Sequence, residues 1–303
     1  MAVKHFLRIW DFTKEEVETL IERALKFKRT KTWEKSLKGK ILALIFEKAS
    51  TRTRVSFEAA MIKLGGDTLF LSRGDLQLTR GEPIKDTARV LSRYVDGVVL
   101  RTYLQETIEE FAKYSEVPVI NGLSNKFHPG QVLSDIMTVI EKGKDLYKSK
   151  IVWLGDGNNV AQSWVEASAL LGFPLILCCP EGFEPEEDLL KEAKERFNAR
   201  IEIIRSPEEA LYEADVVNTD VWISMGQEEE TEKRIKAFKG FTLDYSLLKK
   251  AKPSAIVLHC LPAHRGEEIT EEVLEGPQSV VWDQAENKMW FHMVLLDYLL
   301  KRA

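Results

Sequence analysis

The chain has 303 residues, 44% hydrophobic and 30% charged, the make-up of a globular protein of about two domains. Lys and Arg number 43 against 48 Asp and Glu, a net charge of −5, so no basic field points to nucleic acid. The longest nearly unbroken apolar stretch, residues 170–179, is interrupted by Gly172 and Pro174 and falls far short of the ~20 apolar residues of a membrane helix. Residues 1–12 have no apolar core ahead of a small-residue cleavage site, so no secretory signal is expected. The cysteines number 3, an odd count that fits a reducing cytoplasm.

In chain order, Thr13 and Glu16 have capping-box spacing ahead of an apolar face of Val17, Leu20, Ile21, Ala24 and Leu25, which predicts a helix over 11–29. The apolar run 41–46 (ILALIF) reads as a strand buried on both faces. Residues 55–64 read as a helix ended by Gly65-Gly66. Short strands follow at 98–100 and 118–120, with a helix at 106–114 between them. The rhythm restarts at residue 150: strand 151–154, turn 155–159, helix 160–171, strand 174–179, helix 186–197, strand 201–204, short helix 207–212, and strands 216–217 and 255–258. The charge run 227–236 reads as a solvated loop or helix face. A last apolar helix spans about 290–301. Alternating strands and helices predict an α/β fold of two doubly wound domains, each a mostly parallel sheet with helices on both faces. The charged stretch 141–150 is the best candidate boundary between them.

Six segments carry residues suited to chemistry. Ser50-Thr51-Arg52-Thr53-Arg54 lies between a strand and a helix, where unpaired N–H groups and the helix dipole favour an anion. A plain helix cap accounts for one hydroxyl residue but not for all five residues. No G-x-x-x-x-G-K-[ST] run is present, so this is not an ordinary nucleotide P-loop. Arg101-Thr102 follows a strand, at the end where parallel sheets bind ligands. His128-Pro-Gly-Gln131 opens a helix and offers two hydrogen-bonding side chains, although a turn histidine capping a helix has the same pattern. Gly155-Asp-Gly-Asn-Asn159 resembles the start of a dinucleotide fingerprint, but Val160 takes the third glycine's place. Its asparagines suit a substrate carboxylate or amino group, or simply a tight turn. Asp220 to Gly226 (DVWISMG) offers an acid for an ammonium group, or is a polar loop. His259 to Gly266 (HCLPAHRG) has neither a convincing four-ligand zinc set nor, with His259 and Cys260 adjacent in sequence, a good Cys–His nucleophile pair.

In this order, STRTR (50–54), Arg101-Thr102, HPGQ (128–131), DVWISMG (220–226) and HCLPA (259–263) resemble the ornithine branch of the aspartate/ornithine carbamoyltransferase family, over nearly the whole chain. Residues 81–91 and Asp283-Gln-Ala-Glu-Asn287 resemble it too. The resemblance implies a carbamoyl phosphate domain over 1–140, with a C-terminal helix 286–303 packing back on it, and an ornithine domain over 150–285. It implies a homo-oligomer, a trimer or multiple of trimers with active sites between subunits, working on carbamoyl phosphate and L-ornithine without metal or organic cofactor. Carbamoyl phosphate would be held by Ser50, Thr51, Arg52, Thr53, Gln77, Arg101, His128, Gln131, Cys260, Leu261 and Lys288. Arg101, His128 and Cys260 would be catalytic. Ornithine would be held by Asn159, Asp220, Ser224 and Met225. The chain departs from the family where Lys288 replaces the usual arginine after Asn287, keeping a charge but losing the planar fork. The following 289–293 (MWFHM) also differs from the usual pattern.

Overall fold

The computed structural model describes residues 3–76, 81–223 and 231–301. They form two compact units, one of residues 1–137 with 286–303 and the other of residues 138–285. Helix α1 (Lys14–Thr30) starts at the expected capping box: Thr13 Oγ1 accepts from Glu16 N–H, and the Glu16 carboxylate from Thr13 N–H. Strand β1 (Ile41–Phe46) spans the expected residues, and helix α2 (Thr51–Lys63) follows. Strand β2 (Asp67–Ser72), helix α3 (Ile84–Leu91), strand β3 (Gly97–Arg101), helix α4 (Gln105–Tyr114), strand β4 (Val119–Leu123) and helix α5 (Pro129–Glu141) complete this run. The sheet is parallel, in the order β2-β1-β3-β4.

Three local readings are corrected. Helix α2 begins at Thr51, so the STRTR residues are its cap and first turn rather than a loop before it. Arg101 is the last residue of β3, not the residue after it. The strand expected at 118–120 runs on as β4 through Asn121 to Leu123. Sequence patterning also leaves β2 and α3 unread. In β2 (DTLFLS), which pairs with β1 alone at the sheet edge, no residue is fully buried, so no apolar run marks it.

The second unit contains β5 (Ile151–Leu154), α6 (Asn159–Leu171), β6 (Leu175–Cys178), α7 (Glu187–Phe197), β7 (Ile201–Ile204), α8 (Pro207–Leu211) and β8 (Val216–Thr219). Then come α9 (Thr231–Ala237), α10 (Tyr245–Leu248), β9 (Ile256–His259) and α11 (Glu271–Leu274). Its sheet is also parallel, in the order β7-β6-β5-β8-β9. Val152, Leu154, Val217 and Val257 are fully buried on the side that carries Phe238, Leu243 and Leu274. Part of the charge run is therefore helical: residues 231–236 lie in α9, while 227–230 lie outside the described residues.

The last helix, α12 (Val281–Leu300), starts earlier than its apolar stretch suggests. From Glu286 onward it belongs to the first unit. There Lys28 on α1 donates to Asn287 at 2.8 Å, Arg23 pairs with Asp297, and Tyr298 donates to Glu16. The division before it falls inside α5, between Met137 and Thr138, a few residues ahead of the charged stretch 141–150. Among the described residues no helix is long and apolar enough to cross a membrane.

Candidate active site

Parallel open sheets bind ligands beyond the carboxyl ends of their strands, where the strand order reverses. In the first unit that point lies between β1 and β3. The chain leaving β1 enters α2 through Ser50, whose hydroxyl caps the helix by accepting from Thr53 N–H. The first turn of α2 carries no acid of its own to offset its positive end. Lys48 is buried, with its ammonium 4.1 Å from the Tyr103 ring centre. Arg101 is buried at the end of β3, and its carbonyl accepts from Glu47 N–H at 2.8 Å, locking the two strand ends together. Arg52 is half-buried in the first turn, whereas Arg54 turns aside to pair with Glu58 and cover the Phe70 ring.

His128, just ahead of α5, and Gln131, in its first turn, are both buried, and α12 brings Lys288, also buried. The Lys288 ammonium donates to Thr53 Oγ1 and to Gln131 Oε1, each at 2.9 Å, and faces His128 Nε2 at 3.4 Å. Gln131 Nε2 donates in turn to Asp135 at 2.8 Å. Burial holds the His128 imidazole well below the usual histidine range, and the charges of Lys288 and Arg101 push the same way, so the ring is neutral. One turn along α12, His292 stacks on Phe57 with ring centres 3.6 Å apart and meets Ser56 Oγ at 2.9 Å. It too is buried and stays neutral, through burial and then Lys288. Of the residues expected on carbamoyl phosphate from the sequence, Thr53, His128, Gln131 and Lys288 meet around the Lys288 ammonium, while Arg101 ends β3 and Ser50 caps α2. Thr51 and Arg52 lie in the same turn of α2 as Thr53. Gln77 lies outside the described residues. Lys48, Ser56 and His292 were not read from sequence. The i,i+4 spacing of Lys288 and His292 is the signal that one helix face carries both.

In the second unit the strand order reverses between β5 and β8. Asn158 caps α6, its Oδ1 accepting from Val160 and Ala161 N–H, and its Nδ2 donates to Asp220 Oδ2 at 2.9 Å. Asp220 is buried one residue past β8, and the Cys260 thiol donates to its Oδ1 at 3.0 Å. Asn159, the expected ligand, is the first residue of α6, and its neighbour Asn158 makes the contact to Asp220. The N-cap preference for Asn could have singled out that neighbour. The turn itself demands glycine: a Cβ on Gly157 would lie 2.2 Å from the backbone of Glu184 and Pro185. Asp156 meets Arg234 of α9 in a buried ion pair at 3.0 Å. Ser224 and Met225 lie outside the described residues.

Cys260 and Leu261, expected on carbamoyl phosphate, belong to the second unit. Leu261 has φ 58, a left-handed conformation that costs a branched residue energy and marks functional loops. Its N–H donates to His259 Nδ1 at 2.8 Å, so His259 carries its proton on Nε2 and gives it to Glu268 at 2.9 Å. Asp220, His259 and Cys260 could each offer a ligand atom to a metal. Both His259 nitrogens are already engaged, which leaves too few donors for a zinc set. Cys178 and Cys179 are buried at and just past the end of β6, and burial pushes the Cys178 thiol up to about 12.

Residues 4–141 match the family model "Aspartate/ornithine carbamoyltransferase, carbamoyl-P binding domain", and residues 147–299 match "Aspartate/ornithine carbamoyltransferase, Asp/Orn binding domain". The chain is 53% identical over 302 residues to an ornithine carbamoyltransferase of Geobacter sulfurreducens, covering 99% of this chain and 100% of that one. Among solved structures it resembles the ornithine carbamoyltransferase of Pyrococcus furiosus, with a TM-score of 0.92 and 48% identity over 97% of this chain and 96% of that one. It also resembles an anabolic ornithine carbamoyltransferase of Campylobacter jejuni, with a TM-score of 0.93 and 43% identity over 99% of this chain and 100% of that one. The chain belongs to the aspartate/ornithine carbamoyltransferase family, and the two-unit α/β architecture expected from its sequence is the one observed.

Proposed function

We propose that this chain transfers the carbamoyl group of carbamoyl phosphate to the side-chain amine of L-ornithine, giving L-citrulline and phosphate, the carbamoylation step of arginine biosynthesis. Residues 1–140 with 286–303 bind carbamoyl phosphate, and residues 150–285 bind ornithine. Ser50, Thr51, Arg52 and Thr53 take the phosphate through N–H groups, hydroxyls and countercharge. Gln77 adds a contact to the same ligand. Arg101 bridges phosphate and carbamoyl oxygen, His128 donates to that oxygen, and Gln131 and Lys288 contact the carbamoyl group. Asn159, Asp220, Ser224 and Met225 hold the α-amino and carboxylate groups of ornithine, and Cys260 and Leu261 line the path of its amine.

The amine has an ordinary pKa of about 10.4 and attacks only after losing a proton, which desolvation favours. Its nitrogen bonds to the carbamoyl carbon, and the oxyanion formed is met by Arg101 and His128. The C–O bond to phosphate then breaks, its electron pair leaving with the phosphate, and the nitrogen sheds its surplus proton. Positioning and fixed charge supply the acceleration. The enzyme works as a homotrimer, or a multiple of trimers, in the cytoplasm.

The observation that carries ornithine over other amines is the buried Asp220 carboxylate, held by Asn158 and Cys260 at the end of β8. It suits an α-ammonium, which putrescine lacks, whereas aspartate would demand a further cation. The test is citrulline formation from carbamoyl phosphate and ornithine, with aspartate and putrescine in parallel. Product from ornithine alone supports the reading, and product from another amine redirects it. No product from any amine, with a phosphonate analogue of carbamoyl phosphate still bound, overturns it in favour of a binding protein without turnover.

A further inference from the structure

We infer that Ser124 is a positioning residue whose hydroxyl fixes where His128 stands relative to Arg101. The inference rests on the carbamoyl phosphate reading of this pocket and adds to it what sets the spacing of those two side chains. Arg101 ends β3, and His128 arrives from the neighbouring strand β4 through the turn 124–127. Between the two strands the register slips. Leu100 faces Asn121 but Arg101 faces Leu123, so Gly122 is an extra residue in β4. A bulge of this kind re-aims the chain beside a site. The close approach favours glycine, since a Cβ on Gly122 would lie 3.0 Å from the Val99 side chain and 3.2 Å from the Leu100 carbonyl oxygen.

Past the bulge, Ser124 closes the turn. Its Oγ accepts from Lys126 N–H at 3.2 Å and from Phe127 N–H at 3.1 Å, and its own N–H donates to the Phe127 carbonyl at 2.9 Å. The hydroxyl hydrogen goes to Gln105 Oε1 at 2.6 Å. One proton out and two N–H groups in use the full capacity of a hydroxyl. The Gln105 amide cannot turn the other way round, because Nε2 donates to the Glu109 carboxylate at 3.3 Å and Oε1 also accepts from Asn121 Nδ2 at 3.1 Å. Gln105, Asn121 and Ser124 are all buried, where a satisfied polar network holds one arrangement. Two backbone bonds tie the same turn to the exit of β3. Thr102 N–H donates to the Leu123 carbonyl at 3.1 Å, and Asn125 N–H to the Tyr103 carbonyl at 3.0 Å. The turn thus delivers Phe127 to a fixed place, and Pro129 opens α5 directly after His128. A residue before proline has a restricted backbone, so His128 is pinned from both sides. Ser124 acts on the reaction only through the place that it gives His128.

The experiment compares Ser124→Ala with Ser115→Ala in the full chain, by steady-state kinetics and by calorimetric binding of a phosphonate analogue of carbamoyl phosphate. Ser115 precedes β4, at the opposite end of the strand, and its hydroxyl holds a similar turn through Val117 N–H at 3.3 Å and the Val117 carbonyl at 2.7 Å. Ser124→Ala is expected to lower kcat by about 10- to 100-fold, the range for a slightly misplaced catalytic group. Analogue binding is expected to weaken by about tenfold, the scale of one hydrogen bond, with KM for ornithine unchanged. Ser115→Ala is expected to leave all three quantities as they are, whereas a merely structural role would make the two variants alike. Gln105→Met, which keeps the bonds of Ser124 to the turn, is expected to give a smaller loss in the same direction, and it carries the test if Ser124→Ala does not fold. The double variant is expected to lose no more than Ser124→Ala, since both changes remove the same hydrogen bond. An unchanged kcat in Ser124→Ala and Gln105→Met, an equal fall in Ser115→Ala, or losses that add in the double variant overturns the inference. A parent that binds the analogue but forms no citrulline overturns the proposed activity, and the analogue affinities then judge the role of Ser124 by themselves. A parent that binds no analogue overturns both.

Discussion

The two units place a helix start at the reversal point of a parallel sheet, yet they prepare it for opposite charges. In the first, Ser50 caps α2, the first turn holds no acid, and Lys288 and Arg101 bring cations to the same end. In the second, Asn158 caps α6 with its oxygen and spends its amide on Asp220, an anion. The backbone supplies the same positive helix end in both places. The side chains delivered beside it decide which charge each helix end meets. Fold therefore locates both helix starts, and a few residues at the ends of β3 and β8 set the charge beside them.

Four tests probe that contrast, in order of expected effect. Arg101→Met removes a buried cation from the first site. Steady-state kinetics are expected to show kcat lower by about 100- to 1000-fold, the cost of a lost oxyanion contact, while ornithine binding stays intact. Asp220→Asn makes the second site neutral. It is expected to raise KM for ornithine by about a hundredfold, roughly 3 kcal/mol, as for losing one partner of a buried charge pair. KM for carbamoyl phosphate should not change. If both constants move in either variant, the two sites are not chemically separate and the contrast fails.

The third test is pH. His128 and His292 titrate lower in the folded chain than in the unfolded one. Below about pH 6.5 the unfolded chain therefore binds protons that the native state refuses, and stability falls as pH falls, by up to about 1.4 kcal/mol per pH unit for each histidine. Urea midpoints at several pH values should show this loss, and His292→Gln should reduce the slope. A slope of the opposite sign would mean that these rings are charged in the native state. The smallest effect is in the caps. Ser50→Ala and Asn158→Ala should each cost about 1 kcal/mol of stability. Asn158→Ala should also raise KM for ornithine, because that cap holds Asp220, the acid proposed to meet the α-ammonium.

The local architecture was legible where one physical signal dominates. The run ILALIF marks β1 because a strand covered on both faces is apolar throughout, and Thr13 with Glu16 marks the start of α1 because two orphan N–H groups need acceptors. Strand β2 was not legible, since an edge strand has no fully apolar face. The STRTR, HPGQ and Asp220 segments announced polar chemistry, and the family resemblance assigned it. The contact of Asn158 rather than Asn159 with Asp220 was hidden, because one residue of phase at a helix start decides which side chain caps and which points elsewhere.

The sequence by itself determined the alternation of strands and helices, the two parallel sheets and the segments rich in anion- and amine-binding groups, because periodicity and capping act over a few residues. Only the tertiary structure decided that Lys288 reaches Thr53 and Gln131, and that Cys260 turns its thiol to Asp220. It also placed the His259 proton on Nε2, between Leu261 N–H and Glu268. Those pairs are far apart in the chain or hinge on the direction of one side chain. Proton placement follows from which atoms face each other within ~3.5 Å, and no local pattern in a sequence encodes that distance.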